Sequence, residues 1–162
     1  MTIVDLIGKL PTHPLKTYPT RDPEKITRLV LHHAAGLETQ TPRQIARFHV
    51  DEREWPGIAY HYLVGPAGEV FKCWPTSTVT WCVAGGNSPS LCVCLIGNRH
   101  ILPPAASQWD AVVELFQVLL VALPDRAIYG HREIADPPQS TVCPGQHISM
   151  SAFRAAVRTV VV

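Results

Sequence analysis

The sequence predicts an α/β fold in which a single domain holds a central mixed β-sheet flanked by helices. The chain has 162 residues, which is the usual size of one domain and leaves almost no room for a second. Short apolar runs typical of buried strands alternate with segments of helical spacing. Two of these runs are separated by a short glycine-containing turn, which predicts a hairpin and therefore some antiparallel pairing.

The first 25 residues are predicted to form an extended arm that wraps the domain. Four prolines, at positions 11, 14, 19 and 23, interrupt any helical or strand periodicity in this segment. Residues 26–162 are then expected to make up the folded domain.

The first core strand is predicted at residues 29–33, an apolar run closed by the small residues of AAG. A helix is predicted next, with Thr41 as its N-cap and Pro42 at its first position. Apolar residues continue at helical spacing to about Arg53, where this helix is expected to end.

Three further core strands and a turn follow. The segments AYHYLV at 59–64 and VFKCW at 70–74 predict a hairpin joined by the turn at 65–69. The apolar segment SLCVCLIG at 90–97 predicts a third core strand beside this hairpin. A last strand is predicted at 127–130.

The longest helix is predicted to begin at Ser107, with Asp110 as a capping-box-like partner and Pro124 just beyond its end. It is expected to pack across one face of the sheet. Ser149 is expected to cap a closing helix over residues 150–160.

Charge and hydropathy exclude two classes of partner. Fourteen Lys and Arg residues against thirteen Asp and Glu give a net charge of +1 without a basic block, so no nucleic-acid partner is predicted. No stretch approaches the roughly 20 apolar residues of a membrane helix, so no stable membrane insertion is predicted. The N-terminus lacks the basic start and long apolar run of a secretory signal peptide, which predicts synthesis in the cytoplasm.

The five cysteines stand at positions 73, 82, 92, 94 and 143 and include no C-x-x-C pair. Their odd number and wide spacing argue against a disulfide scaffold and against a four-cysteine zinc ribbon. At least one thiol is expected to stay free unless it pairs between molecules. A chain of this length can bury a sufficient core without a metal, so any metal is expected to be functional.

Two histidines and one cysteine are candidate metal ligands. In the segment LVLHH successive side chains point to opposite faces, so only one of His32 and His33 can face a given site. His131 follows a predicted strand, and Cys143 lies twelve residues further on. Two imidazoles and one thiolate leave zinc an open fourth position, as in catalytic zinc sites. The spacing alone is a weak signal. By itself it favours histidines that bond to the backbone and a cysteine that packs as a small apolar residue.

Five separated segments resemble one family. The family is the zinc-dependent N-acetylmuramoyl-L-alanine amidases, which includes phage amidase-type lysozymes and peptidoglycan-recognition proteins. The matching segments are RLVLHHAAG at 28–36, WPGIAYHYLVGPAGEVF at 55–71, WCVAGGNSPSLCVCLIGN at 81–98, GHRE at 130–133 and TVCPG at 141–145. They occur in the family's order, which makes the resemblance more specific than any single motif.

The resemblance implies a peptidoglycan-recognition-protein-like fold with Zn²⁺ as its cofactor. It assigns the metal ligands to His32, His131 and Cys143, with His33 on the opposite face, and the catalytic roles to Tyr60 and Thr141. Zinc lowers the pKa of bound water from 15.7 to about 7 and polarises the amide carbonyl. A hydroxyl of Tyr60 or Thr141 is expected to stabilise the oxyanion, and Tyr60 alternatively to orient the water.

Two residues depart from the family pattern. Cys82 stands where many relatives have a histidine, so a substrate-contacting or proton-handling imidazole is expected to be absent there, and the role of Cys82 stays open. Cys94 stands where the wall-recycling branch has a glutamate, so no carboxylate base is expected there. His49 and His61 are predicted to be structural, and Asn87 either contacts substrate or forms a turn.

The predicted function is hydrolysis of the bond between N-acetylmuramic acid and L-alanine in bacterial peptidoglycan. A phage or prophage endolysin is favoured, made in the host cytoplasm as a monomer and acting on the wall after release. Two alternatives are a recognition module that binds peptidoglycan without cutting it and a recycling amidase that acts on soluble muropeptides.

Overall fold

The computed structural model of the chain describes residues 1–137 and 140–159. The strands are β1 (Ile3–Asp5), β2 (Arg28–His33), β3 (Tyr62–Val64), β4 (Val70–Lys72), β5 (Ser90–Leu95) and β6 (Ala127–Gly130). They form one sheet in the order β1-β4-β3-β5-β2-β6. Neighbours pair in parallel except β3 and β4, which form the predicted antiparallel hairpin. The predicted mixed sheet is confirmed.

The described helices are α1 (Pro42–Arg47), α2 (Ala106–Ala122), α3 (His131–Ile134) and α4 (Met150–Arg158). A 3-10 turn spans Pro23–Lys25, and α1 continues into one turn of π-helix over Phe48–Glu52. Thr41 caps α1 as predicted, because its hydroxyl accepts a hydrogen bond from the backbone N–H of Gln44 at 3.3 Å. No helix in the described parts of the chain combines the length and apolar character needed to cross a membrane.

The predicted capping box at the start of α2 is wrong. The helix begins at Ala106, and no side chain caps it. The hydroxyl of Ser107 instead donates to the backbone oxygen of Pro66 at 2.8 Å, so it ties the helix to the hairpin turn. Ser149 does cap α4, accepting from the N–H of Ala152 at 3.3 Å. The last residue predicted for this helix, Val160, lies outside the described residues.

Alternation along β2 separates the main core from a second face of the sheet. Leu29 and Leu31 pack with α2 and α4 in the largest apolar cluster. Val30 lies on the other face, where it packs with Cys82 and Cys92. His32 shares the face of Val30 because side chains two residues apart point the same way. Helices α2 and α4 therefore cover one face, whereas α1 packs against part of the other face and leaves the rest of it for a cleft.

The N-terminal segment that was predicted to be an extended arm contributes a strand to the sheet. Its first residues form β1, which pairs in parallel with β4. Further along the arm, Thr20 forms an isolated antiparallel bridge with Thr78. Without β1, β4 would be the edge strand and would leave backbone N–H and C=O groups unpaired. The arm therefore extends the sheet by one strand.

Candidate metal centre and cleft

The three predicted ligands come together at one edge of the sheet. His32 lies near the end of β2, and His131 directly follows β6, which is the parallel neighbour of β2. Cys143 lies on the loop before α4. One potential ligand atom from each of the three lies within 4.8 Å of the others. Cys143 Sγ is 3.6 Å from His32 Nδ1, and the two imidazole centroids are 4.6 Å apart.

Hydrogen bonds from α3 hold the Cys143 loop in place. The backbone N–H of Arg132 donates to the oxygen of Cys143 at 2.7 Å. The guanidinium of Arg132 donates to the backbone oxygens of Gly145 at 2.8 Å and Ile148 at 2.7 Å. His131 precedes Arg132, so the same contacts set the distance between the second histidine and the cysteine.

The charge states of these groups suit a metal. His32 is 1% exposed, and its Nε2 has no hydrogen-bond partner among the described residues. Burial, and then the neighbouring His131, hold the pKa of His32 well below its usual value, so the imidazole is neutral. Burial raises the pKa of the Cys143 thiol to about 12, an effect that a bound cation reverses. Two imidazoles and one thiol, with one donor atom of each within 4.8 Å of the others, fit Zn²⁺.

Both predicted catalytic hydroxyls line the cleft in front of this cluster. The cleft has a volume of about 260 Å³ and is also lined by Trp55, Trp81 and Cys82. The Tyr60 ring centroid is 5.4 Å from that of His32. Burial, and then the Cys94 thiol, raise the pKa of Tyr60 well above its usual value, which keeps its hydroxyl protonated.

The hydroxyl of Thr141 is held in place by the backbone of Cys143, two residues further along the chain. Its hydroxyl oxygen accepts a hydrogen bond from the N–H of Cys143 at 3.1 Å. Because a hydroxyl can accept and donate at once, its own hydrogen is left to point into the cleft. A second groove of about 430 Å³ adjoins the cleft, sharing Thr141, His131 and both tryptophans with it. The arrangement can hold a metal and present two hydroxyl donors beside it.

Comparison with known proteins decides the family. The model of the family described as N-acetylmuramoyl-L-alanine amidase matches residues 22–146. The chain belongs to this amidase family.

Relatives within and around this family include enzymes and recognition proteins. The Ph2119 endolysin from the Thermus scotoductus MAT2119 bacteriophage Ph2119 is 31% identical, with a TM-score of 0.82 over 96% of this chain and 99% of that chain. The N-acetylmuramoyl-L-alanine amidase LysC from Clostridium intestinale is 21% identical, with a TM-score of 0.77 over 96% of each chain, and shares the fold. Peptidoglycan-recognition protein SC1a of Drosophila melanogaster is 27% identical over 137 residues, which are 74% of this chain and 68% of that protein.

The remaining buried histidines that the sequence analysis singled out have backbone partners. His33 points to the opposite face from His32, and its Nδ1 accepts from the N–H of Arg99 at 3.0 Å. His49 Nδ1 accepts from the N–H of Ala59 at 3.1 Å. His61 Nδ1 accepts from the N–H of Cys92 at 3.1 Å, so the proton on Nε2 donates to the oxygen of Thr78 at 2.9 Å. These bonds support the structural role predicted for His49 and His61.

Two features of the cleft have no counterpart in the sequence analysis. Cys82 and Cys92 form a disulfide, whereas Cys73, Cys94 and Cys143 remain free. Arg21 of the arm is only 7% exposed and reaches the loop between β4 and β5, residues 73–89, here called the cleft loop. Its guanidinium donates to four backbone oxygens, those of Thr76, Asn87, Ser88 and Ser90.

Asn87 forms the predicted turn, and because it also lines the second groove, its contact with substrate stays a prediction. Its Oδ1 accepts a hydrogen bond from the N–H of Val83 at 2.7 Å, which closes the end of the cleft loop. The backbone contacts of Arg21 could not be predicted from the sequence, because an arginine in a proline-rich segment is not distinctive.

Proposed function

We propose that this chain hydrolyses the amide bond between N-acetylmuramic acid and L-alanine in bacterial peptidoglycan, as a monomeric zinc-dependent phage endolysin. The observation that carries the proposal is the complete ligand set. His32, His131 and Cys143 offer three ligand atoms within 4.8 Å of one another, on the wall of a cleft that also holds Tyr60. Three protein ligands and an accessible fourth position distinguish catalytic from structural zinc sites.

His32, His131 and Cys143 would hold the metal. When bound, Zn²⁺ supplies a Lewis acid and lowers the pKa of a coordinated water to about 7. The protein's part is to keep His32 neutral by burial, so that no proton competes for its nitrogen. Contacts from Arg132 hold the Cys143 loop at the required distance.

Tyr60 and Thr141 would act on the oxygen of the scissile carbonyl. That oxygen gains negative charge as the carbonyl carbon becomes tetrahedral, and a hydroxyl donor stabilises this charge most where water is excluded. Tyr60 keeps its proton because burial raises its pKa. Thr141 is held by its bond to the N–H of Cys143, so its hydroxyl is oriented before substrate arrives.

The adjoining groove suits a substrate that extends beyond the scissile bond. Trp55 and Trp81 lie along both the cleft and the groove, and Trp81 is 40% exposed. Aromatic rings offer large, rigid contact surfaces at low cost in conformational entropy. The relatives named for peptidoglycan recognition support peptidoglycan as the ligand.

A recognition module that binds without cutting is the second candidate, because several relatives are named as recognition proteins. The complete ligand set favours the enzyme. A recycling amidase is disfavoured by Cys94, a buried thiol that stands where that branch has a carboxylate.

The test is the release of new L-alanine amino groups from purified sacculi, with zinc content measured on the same sample. Cys143→Ala is expected to lose both, whereas Cys73→Ala, which removes another buried thiol, should retain both. Release of amino groups without new reducing sugar ends would identify an amidase. Bound muropeptide without release would make the chain a recognition module. Full zinc and full rate in Cys143→Ala would refute the ligand assignment.

A further inference from the structure

The disulfide lies directly against the proposed metal centre. The sulfurs of Cys82 and Cys92 and a ligand nitrogen of His32 all lie within 4.8 Å of one another. Cys82 also lines the same cleft as His131 and Cys143. His32 therefore lies close to two sulfur groups, the free thiol of Cys143 and the disulfide.

The two disulfide cysteines differ in their freedom to move. Cys92 is in the middle of β5, fully buried, and paired in register with Val30 of β2. Cys82 is on the cleft loop and faces the cleft. Opening the disulfide therefore leaves Cys92 in the core and frees Cys82 beside the three proposed ligands.

We propose that reduction of this disulfide makes Cys82 a fourth protein ligand, which closes the metal centre, and that oxidation withdraws it. This inference rests on the proposed function. Two histidines and two cysteines are the donor set of closed, structural zinc sites, whereas three protein ligands leave the position that catalysis needs. The same four residues would thus form an inactive or an active centre according to the redox state of Cys82.

Cys82 starts close to the metal centre. Ligand atoms on one tetrahedral zinc lie roughly 3.6 Å apart, given bond lengths of about 2.0–2.3 Å. Cys82 Sγ lies within 4.8 Å of a ligand nitrogen of His32 and lines the same cleft as His131 and Cys143, so the released side chain has to move from Cys92 toward these two residues. The cleft loop stays in place when the disulfide opens, because Arg21 holds the backbone oxygens of Thr76 and Asn87 and Asn87 holds Val83.

The redox step balances with a dithiol as the reductant. Two electrons and two protons from the dithiol convert the disulfide to two thiols, and the dithiol closes to its own disulfide. The thiol of Cys82 then releases its proton to solvent as the sulfur binds the metal. The cytoplasm keeps thiols reduced, and the compartments outside it favour disulfides. An endolysin made in the cytoplasm would therefore be held closed until it crosses the membrane.

A matched pair of variants tests the proposal. Cys92→Ala and Cys82→Ala both lack the disulfide, but only Cys92→Ala keeps a free Cys82. With Co²⁺ as the probe, Cys92→Ala should show thiolate-to-metal absorbance from two sulfurs, about twice that of Cys82→Ala. Competition with a chelator should show Zn²⁺ bound roughly tenfold or more tightly by Cys92→Ala. Its release of L-alanine amino groups from sacculi should be at least tenfold slower than that of Cys82→Ala.

Wild-type protein gives the same comparison without a substitution. Oxidised protein should show one thiolate on Co²⁺, and protein reduced by a dithiol and then freed of it under anaerobic conditions should show two. One thiolate in every sample would overturn the redox proposal and leave the three-ligand centre intact. Failure of the oxidised protein to bind Co²⁺ at all would instead overturn the metal centre on which both proposals depend.

Discussion

Arg21 joins the N-terminal arm to the cleft loop, and its replacement by lysine is expected to destabilise the protein. The guanidinium donates to four backbone oxygens, those of Thr76, Asn87, Ser88 and Ser90. A lysine ammonium is a compact charge that cannot match this fork of donors. If about two of the four bonds are lost, at about 1.5 kcal/mol for each bond from a charged donor, the free energy of unfolding falls by about 3 kcal/mol.

For a chain of this size 1 kcal/mol corresponds to roughly 2–4 °C, so Arg21→Lys should lower the Tm by roughly 10 °C. Thermal unfolding followed by circular dichroism measures this shift. Arg47→Lys is the matched control, because Arg47 is exposed on α1 and should change stability by less than about 0.5 kcal/mol. A shift for Arg21→Lys no larger than that of the control would refute the role given to the arm.

Three other predictions concern the cleft and the buried histidines. Tyr60→Phe should keep its zinc, measured by metal analysis, and lower the rate on sacculi about 10²–10³-fold, since it removes one donor to the developing oxyanion; an unchanged rate would assign that role to Thr141 alone. Burial lowers the pKa of His49 to about 4 and that of His61 to about 3. Below about pH 6.5 these histidines bind protons in the unfolded chain but stay neutral in the folded chain. The free energy of unfolding is therefore highest above that pH and falls toward pH 3. Because burial also lowers the pKa of His33 to about 4, urea unfolding should give a free energy at least about 2–3 kcal/mol lower at pH 5.5 than at pH 7.5, and equal values would contradict this account. Chelation should lower the Tm, since zinc at about 1,000 times its Kd stabilises by about 4 kcal/mol; a Tm unmoved by chelator and by added Zn²⁺ would argue against a bound metal.

Much of the sheet could be predicted because its signals are local. The apolar runs that became β2, β5 and β6 are bounded by turn residues, and alternation along β2 separated His32 from His33. The strand β1 could not be predicted in this way, since its three residues pair with β4, far away in sequence. The start of α2 was misplaced for a similar reason, because Ser107 bonds to Pro66 of the hairpin turn rather than to its own helix.

The candidate site depended on more than local pattern. Spacing alone did not distinguish His32, His131 and Cys143 from core residues, and only their resemblance to a family singled them out. The structure brings them within 4.8 Å through the parallel pairing of β2 with β6. The Cys82–Cys92 disulfide escaped prediction because five cysteines allow many pairings, and the choice is made by the packing of the cleft loop on β5.

The most direct test of the zinc-dependent hydrolysis is a metal titration of the oxidised protein after chelation. Zn²⁺ is added in steps, and the release of L-alanine amino groups from purified sacculi is measured at each step. The account predicts no release without metal, a linear rise with added Zn²⁺ and a break at about one equivalent per chain, set by the three-ligand centre. Release that is already complete in the chelated protein, or its absence at every level of zinc, would contradict it.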